Sequence, residues 1–97
     1  AEALGYIQKA LKAQPDDPAI LDSMGWVQYR LGMYEEAIEN LDRAYELFPD
    51  HEVAAHLGEV LWGTGERTQA RSIWRKALES QPNSEFIRST MERLTSD

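Results

Sequence analysis

Apolar side chains recur at steps of three and four residues in several segments of the chain, which is the spacing of one face of an α-helix. In the clearest of these segments they are Ile20, Leu21, Met24, Val27 and Leu31. Asp17 is suited to cap the N-terminus of this helix, Pro18 fits its first turn, and Gly32 ends it. No segment alternates with a period of two, so no β-sheet is predicted.

The same kind of pattern predicts five further helices, over residues 3–13, 34–48, 53–61, 70–78 and 84–96. Pro49 ends the helix that starts near Tyr34 or Glu35, and Pro82 ends the helix of residues 70–78, because proline cannot continue a helix. The run Gly63-Thr64-Gly65 closes the helix before it. The sequence therefore predicts an all-α chain of about six helices.

The helices form a repeat. A shift of 33 residues superposes Gly25 on Gly58, Gly32 on Gly65, Ala37 on Ala70, Ala44 on Ala77 and Pro49 on Pro82. A shift of 34 residues relates the first helix to the third, since Ala10 meets Ala44 and Pro15 meets Pro49. We expect one domain over 1–97, made of the second helix of a truncated repeat (1–15), two repeats (17–49 and 51–82) and a C-terminal capping helix (84–96).

Small residues at fixed places indicate how the paired helices pack. Gly25 and Gly58 lie in the middle of predicted helices, where glycine costs about 1 kcal/mol relative to alanine, so we expect a neighbouring helix to pass close to each. Ala37, Ala44, Ala70 and Ala77 keep one face of the second helix of each repeat flat, which also allows a neighbouring helix to pack closely. Trp74 aligns with Leu41 on the buried stripe and is predicted to lie in the core.

Composition narrows the possible functions. The 97 residues carry a formal net charge of −7, which argues against binding to nucleic acid or to anionic lipid. The chain has no cysteine, and no apolar run reaches the roughly 18 residues of a membrane span. The two histidines, His51 and His56, are five residues apart and do not share a helix face, so no metal site and no cofactor are expected.

Candidate catalytic groups have simpler structural explanations. The acid pairs Asp16-Asp17 and Glu35-Glu36 stand at helix starts, where carboxylates cap the helix and interact favourably with its dipole. The serines lack the glycine-flanked elbow of a nucleophile, and Gly63-Thr64-Gly65 lacks the lysine of a phosphate loop. We therefore expect no enzymatic activity.

The repeat resembles the tetratricopeptide repeat, a helix–turn–helix unit of 34 residues. The residues that match are Leu21, Met24-Gly25, Tyr34, Ala37, Leu41, Ala44, Pro49, Leu57-Gly58, Ala70, Trp74, Ala77 and Pro82. Gln28 and Arg67 depart from the pattern, since a large residue and an aromatic residue are usual there. The resemblance implies a right-handed superhelical solenoid of antiparallel helix pairs that serves as a scaffold for protein–protein interaction.

The sequence of residues 20–26 and 54–62 is similar to that of the C-terminal repeats of proteobacterial outer-membrane lipoproteins that contain tetratricopeptide repeats. That narrower resemblance implies a location on the periplasmic side of the outer membrane, with the cytoplasm as the alternative. The partner is expected to be a protein or peptide rather than nucleic acid, and no insertion of this segment into a membrane is expected. Self-association through the truncated first helix is a further expectation.

The resemblance also implies that one face of the first helices lines a concave groove. The residues on that face are Asp22, Trp26, Tyr29, Arg30, Ala55, Glu59, Trp62, Glu85 and Arg88. Within each helix they follow steps of three and four residues, and Trp26, Tyr29 and Trp62 are expected to form an apolar centre that anchors the partner. The alternative is that this segment only caps a longer solenoid and that binding occurs elsewhere.

Overall fold

The computed structural model describes residues 2–96, and α-helix is the only regular secondary structure in that range. Its six helices are α1 (Glu2–Ala13), α2 (Pro18–Arg30), α3 (Tyr34–Leu47), α4 (His51–Gly63), α5 (Arg67–Ser80) and α6 (Glu85–Thr95). The predicted number, order and approximate bounds of the helices are confirmed. The chain forms two compact units, one of residues 1–48 with α1 to α3 and one of residues 49–97 with α4 to α6.

Side-chain caps fix where three of the helices begin. Asp17 accepts hydrogen bonds from the backbone N–H groups of Ala19 and Ile20 at 2.9 and 3.3 Å, and Pro18 is the first residue of α2, as predicted. Asp50 caps α4 in the same way, and the hydroxyl of Ser84 accepts from the Ile87 N–H at the start of α6. The caps satisfy backbone donors that a helix cannot satisfy internally.

The turns inside the two helix pairs have the same construction. Gly32 and Gly65 adopt positive φ angles of 84° and 94°, which other residues rarely adopt. In the first turn the Met33 N–H donates to the Gln28 carbonyl at 2.8 Å, and in the second the Glu66 N–H donates to the Leu61 carbonyl at 2.8 Å. This closure of the helix end reverses the chain within three residues, so α3 packs back against α2 and α5 against α4.

In the first unit, α2 and α3 meet at Gly25. A Cβ atom on Gly25 would lie 2.6 Å from Cγ of Leu41, which confirms the predicted close approach. The core around it is formed by Leu21, Met24, Ala37, Leu41 and Ala44, all of them buried. Leu31 follows the apolar spacing of this helix in the sequence, but it lies in the turn after α2 and is 50% exposed. Ile20 and Val27 are half-buried.

In the second unit, α4 packs against both α5 and α6. Gly58 of α4 faces Trp74 of α5, whose side chain is fully buried, so the prediction that Trp74 is a core residue is confirmed. Ala70 and Ala77 are buried on the same helix, also as predicted. Ile87 of α6 is fully buried as well, which shows that the last helix covers apolar surface of this unit.

Gln28 departs from the family pattern but keeps its place in the core. Gln28 is 8% exposed, and its side-chain oxygen Oε1 accepts a hydrogen bond of 2.7 Å from the Asn40 side-chain amide of α3. A buried amide is tolerated where it has such a partner. The pair therefore joins α2 to α3 by a polar contact where the family usually packs a large side chain.

Candidate partner-binding faces

The predicted face of α2 carries two adjacent aromatic rings. Trp26 and Tyr29 are both half-buried, and their ring centroids are 5.5 Å apart in a tilted arrangement. Asp22 is half-buried on the same face, and Arg30 is exposed at its end. Because these four residues follow steps of three and four along one helix, α2 presents aromatic surface with an acidic and a basic group beside it.

Tyr34 extends this aromatic surface and was not among the predicted site residues. Its ring centroid is 5.8 Å from that of Tyr29, and its side chain is 49% exposed. The tight turn at Gly32 brings the first residue of α3 back beside the last turn of α2. The signal was present in the sequence, since a reversal within three residues places the residues on either side of it close together. We refer to Trp26, Tyr29 and Tyr34 as the aromatic cluster.

The corresponding face of α4 differs from the prediction. Ala55 is 3% exposed and Trp62 is 9% exposed, so both are largely covered, and contact of a partner with them stays a prediction. Trp62 packs against Trp74, with ring centroids 5.7 Å apart. The guanidinium groups of Arg67 and Arg71 lie over its ring, with Cζ 4.5 and 5.2 Å from the centroid. Residues of α5 therefore cover this indole on its exposed side.

Two of the predicted charged residues of the second unit, Glu59 and Arg88, are engaged in local contacts. Glu59 forms an ion pair with Arg93 of α6, with 2.5 Å between Oε1 and Nη2. Arg88 is exposed, but its Nε and Nη2 donate to the Pro82 carbonyl at 2.8 and 2.6 Å. Glu85 is exposed in the first turn of α6. Trp26 and Tyr29 are half-buried whereas Ala55 and Trp62 are buried, so the first unit offers more accessible surface on the predicted face. That the faces join into one surface stays a prediction.

Asp50, His51 and Ser84 have the residue types of a catalytic triad but the contacts of a helix cap. Nδ1 of His51 is 2.6 Å from the Ser84 hydroxyl, whereas its Nε2 is 3.9 Å from the Asp50 carboxylate, too far for a hydrogen bond. Ser84 is 5% exposed, and its hydroxyl already accepts from the Ile87 N–H. The His51 ring also packs edge-on against Phe86 at 5.0 Å. These contacts join the start of α4 to the start of α6.

His51 and His56 are both half-buried. Within residues 2–96 no group of three or more histidine and carboxylate side chains is arranged to hold a metal ion. No helix in this range has the length and apolar character that crossing a bilayer requires.

The exposed side of α1 carries apolar surface. Tyr6 is 73% exposed, and Tyr6, Ile7, Ala10 and Ile20 line an open groove of about 380 Å³ between α1 and α2. The expectation that the chain self-associates through this first helix stays a prediction.

One carboxyl group of α3 has an altered proton affinity. Burial raises the pKa of Asp42 above its ordinary value of 3.8, and the neighbouring charge of Glu46 raises it further. Both effects disfavour the ionised form in the folded chain. Ionisation of the Asp42 carboxyl therefore destabilises the folded chain.

Two tetratricopeptide repeat family models match the chain, one over residues 28–94 and one over residues 1–52. A TPR repeat-containing protein of Pseudomonas aeruginosa is 56% identical over 94 residues, which cover 97% of this chain and 16% of that protein. Protein O-mannosyl-transferase TMTC1 is 26% identical over 98 residues in both Mus musculus and Homo sapiens, and the chain covers 10% and 11% of those proteins. The chain thus spans a sixth or less of the length of these relatives.

Proposed function

The chain belongs to the tetratricopeptide repeat family, whose members generally mediate protein–protein interactions, and we propose that it holds a peptide or helix of a partner protein against the α2 face. The aromatic cluster carries this proposal, because Trp26, Tyr29 and Tyr34 place three adjacent rings at a partly exposed surface. Tryptophan and tyrosine are the residue types that most often dominate the energy of protein interfaces.

The packing of the cluster also favours binding. Rings that already contact one another lose little side-chain freedom when a partner covers them, so less of the interaction energy is spent on ordering. Asp22 and Arg30 supply opposite charges beside the rings. An apolar centre with a charged margin fits an amphipathic helix or an extended peptide.

The alternative is that this segment only caps a longer solenoid and that binding occurs elsewhere, and the burial of the predicted face of the second unit favours a structural role there. Ala55 and Trp62 are buried, and Glu59 is paired with Arg93. α6 covers apolar surface of this unit, since Ile87 is fully buried.

We propose that the chain has no catalytic role. The contacts of Ser84 and His51 are those of a helix cap, and the transferase named among the relatives is matched over only a tenth of its length. A location at the periplasmic face of the outer membrane, as part of a lipoprotein, is also proposed, with the cytoplasm as the alternative. It rests on the sequence resemblance of residues 20–26 and 54–62.

The test is a comparison of three aromatic substitutions. Partners captured from a cell extract are first identified, and the affinity of one purified partner is then measured for each variant. Trp26→Ala is expected to weaken binding by about 2 kcal/mol or more, roughly thirtyfold in Kd, while the helical content is retained. Phe48→Ala is the matched control, because Phe48 is 57% exposed and lies outside the α2 face.

Trp74→Ala separates binding from folding, because it removes a core side chain and is expected to lower stability instead. Equal affinity for the Trp26→Ala and Phe48→Ala proteins, measured per folded molecule, overturns the proposal. So does a Trp26→Ala variant that unfolds but whose folded fraction binds as well as the parent chain.

A further inference from the structure

α5 is a basic helix in an acidic chain. Four of the ten lysine and arginine residues lie on it, beside a single acid, Glu79. Arg67, Arg71 and Arg75 are four residues apart, so they follow one side of the helix, and all three are exposed. Positive charge is therefore concentrated on one side of a helix in a chain whose net charge is −7.

None of these three arginines forms an ion pair with a carboxylate in the described part of the chain. Like charges four residues apart repel one another, so the arrangement costs stability unless something compensates it. Arg67 and Arg71 rest on the face of Trp62. Stacking of this kind uses the flat face of the guanidinium and leaves its N–H edge available to a carboxylate.

Arg71 and Arg75 border a crevice between α5 and α6. Its other lining residues are Leu78, Met91 and Thr95, and its volume is about 320 Å³. Leu78 and Met91 are half-buried, so their exposed parts give the crevice an apolar wall. The Thr95 hydroxyl donates to the Met91 carbonyl at 2.6 Å and is thereby occupied within α6. We call these five residues the α5–α6 crevice.

We propose that the α5–α6 crevice binds an acidic amphipathic helix of a protein partner. Two carboxylates of that helix, four residues apart, pair with Arg71 and Arg75, and an apolar side chain next to them packs on Leu78 and Met91. The spacing matches, because residues four apart on any α-helix are separated by about one turn of roughly 5.4 Å. Arginine forks bind carboxylates with two parallel hydrogen bonds.

Charge and polarity together select this partner. The two arginines are complementary to an anion, and the apolar wall is complementary to an aliphatic side chain. A nucleic-acid backbone supplies the anion but no aliphatic side chain. This site lies in the second unit and uses none of the α2-face residues, so it is independent of the proposed function.

The test uses two synthetic dye-labelled helical peptides and fluorescence anisotropy. The first peptide carries glutamates four residues apart beside a stripe of leucines, and the second carries glutamine in place of each glutamate. We expect the glutamate peptide to bind more tightly, with an affinity that falls as salt is added. Replacing Arg71 and Arg75 together by glutamine is expected to weaken binding about tenfold, since two exposed charge pairs are lost.

Controls separate this site from general attraction and from misfolding. Lys76→Gln removes the same charge from α5 outside the crevice and is expected to change Kd less than about twofold. Arg75→Gln alone leaves both guanidinium–Trp62 contacts intact, and Met91→Gln tests the apolar wall. Circular dichroism checks that each variant is folded.

Three results overturn the proposal: equal affinity for the two peptides, unchanged affinity of the Arg71 and Arg75 double variant, or equal losses from Lys76→Gln and Arg75→Gln. Loss of peptide binding in Trp26→Ala, with the crevice variants unaffected, also overturns it and assigns the peptide to the α2 face. Failure of the α2-face proposal leaves this test unaffected.

Discussion

Gly58→Ala adds one methyl group at the closest contact between α4 and α5. A Cβ atom there would lie 2.5 Å from Cε2 and 2.7 Å from Cδ1 of Trp74, and closer still to Nε1. Real Cβ contacts are essentially never shorter than 3.0 Å, so the helix or the indole has to move. The indole has little room, because it is fully buried and packs against Trp62 at 5.7 Å.

The size of the effect follows from two opposing contributions. Alanine stabilises a helix interior by about 1 kcal/mol relative to glycine. Overpacking a well-filled core costs about 1–3 kcal/mol, and the short distances at Gly58 favour the upper end of that range. The expected net loss is therefore about 2 kcal/mol, which lowers the melting temperature of a chain of this size by about 10 °C.

Urea unfolding followed by far-ultraviolet circular dichroism measures this loss, with Gly5→Ala as the matched control. Gly5 lies in α1 with no atom within 4 Å of its would-be Cβ, so the same substitution is expected to stabilise by about 1 kcal/mol or less. Trp74→Phe shortens the ring, so adding it to Gly58→Ala is expected to recover part of the loss. A Gly58→Ala protein as stable as the parent chain refutes the reasoning.

Three further substitutions test other parts of the structure. Trp74→Ala is expected to lower the free energy of unfolding by about 3–5 kcal/mol, measured in urea, because it leaves a cavity in the core; a loss below 1 kcal/mol contradicts its assignment. Ser84→Ala removes the cap of α6 and the partner of His51, and is expected to cost about 1 kcal/mol in thermal melts. Asp42→Asn is expected to raise the melting temperature at neutral pH. The raised pKa of Asp42 means that stability is lost as the pH rises from 3.8 through the folded-state pKa, so the gain should vanish below about pH 3.

The helices and their core were predictable from the sequence, because local signals and repeat signals agree. Asp17, Pro18 and the glycines of the turns set the ends of the helices, and the repeated alanines mark the faces that pack. Gly25 and Gly58 were assigned to close helix contacts only because glycine destabilises a helix interior, and the structure confirms both contacts. Each of these features depends on residues within a single repeat.

The candidate site was harder to predict, because exposure depends on contacts between helices. Trp62 shares its helix face with Ala55 and Glu59, but residues of α5 cover it. Helical spacing gives the side on which a residue lies and does not give what packs there. The arginine at position 67, where an aromatic residue is usual in the family, was the available signal, since arginine stacks readily on tryptophan.

In the aromatic cluster, the turn between two helices creates a contact that helical spacing does not predict. Tyr34 was known as a repeat position, but its contact with Tyr29 arises only from the geometry of the turn at Gly32. Leu31 follows the apolar spacing of α2, but the helix ends one residue earlier and the side chain is exposed. In both cases the turn rather than the helix decides where the side chain lies.

Site-specific photo-crosslinking tests the central claim, that the α2 face holds a protein partner, most directly. A photoreactive amino acid is introduced in place of Arg30 on the α2 face or in place of Glu39 on α3, both of which are exposed. The account predicts that a partner protein is crosslinked from position 30 and that Trp26→Ala reduces its yield, with little product from position 39. Equal crosslinking from both positions, or crosslinking from position 39 alone, would contradict it.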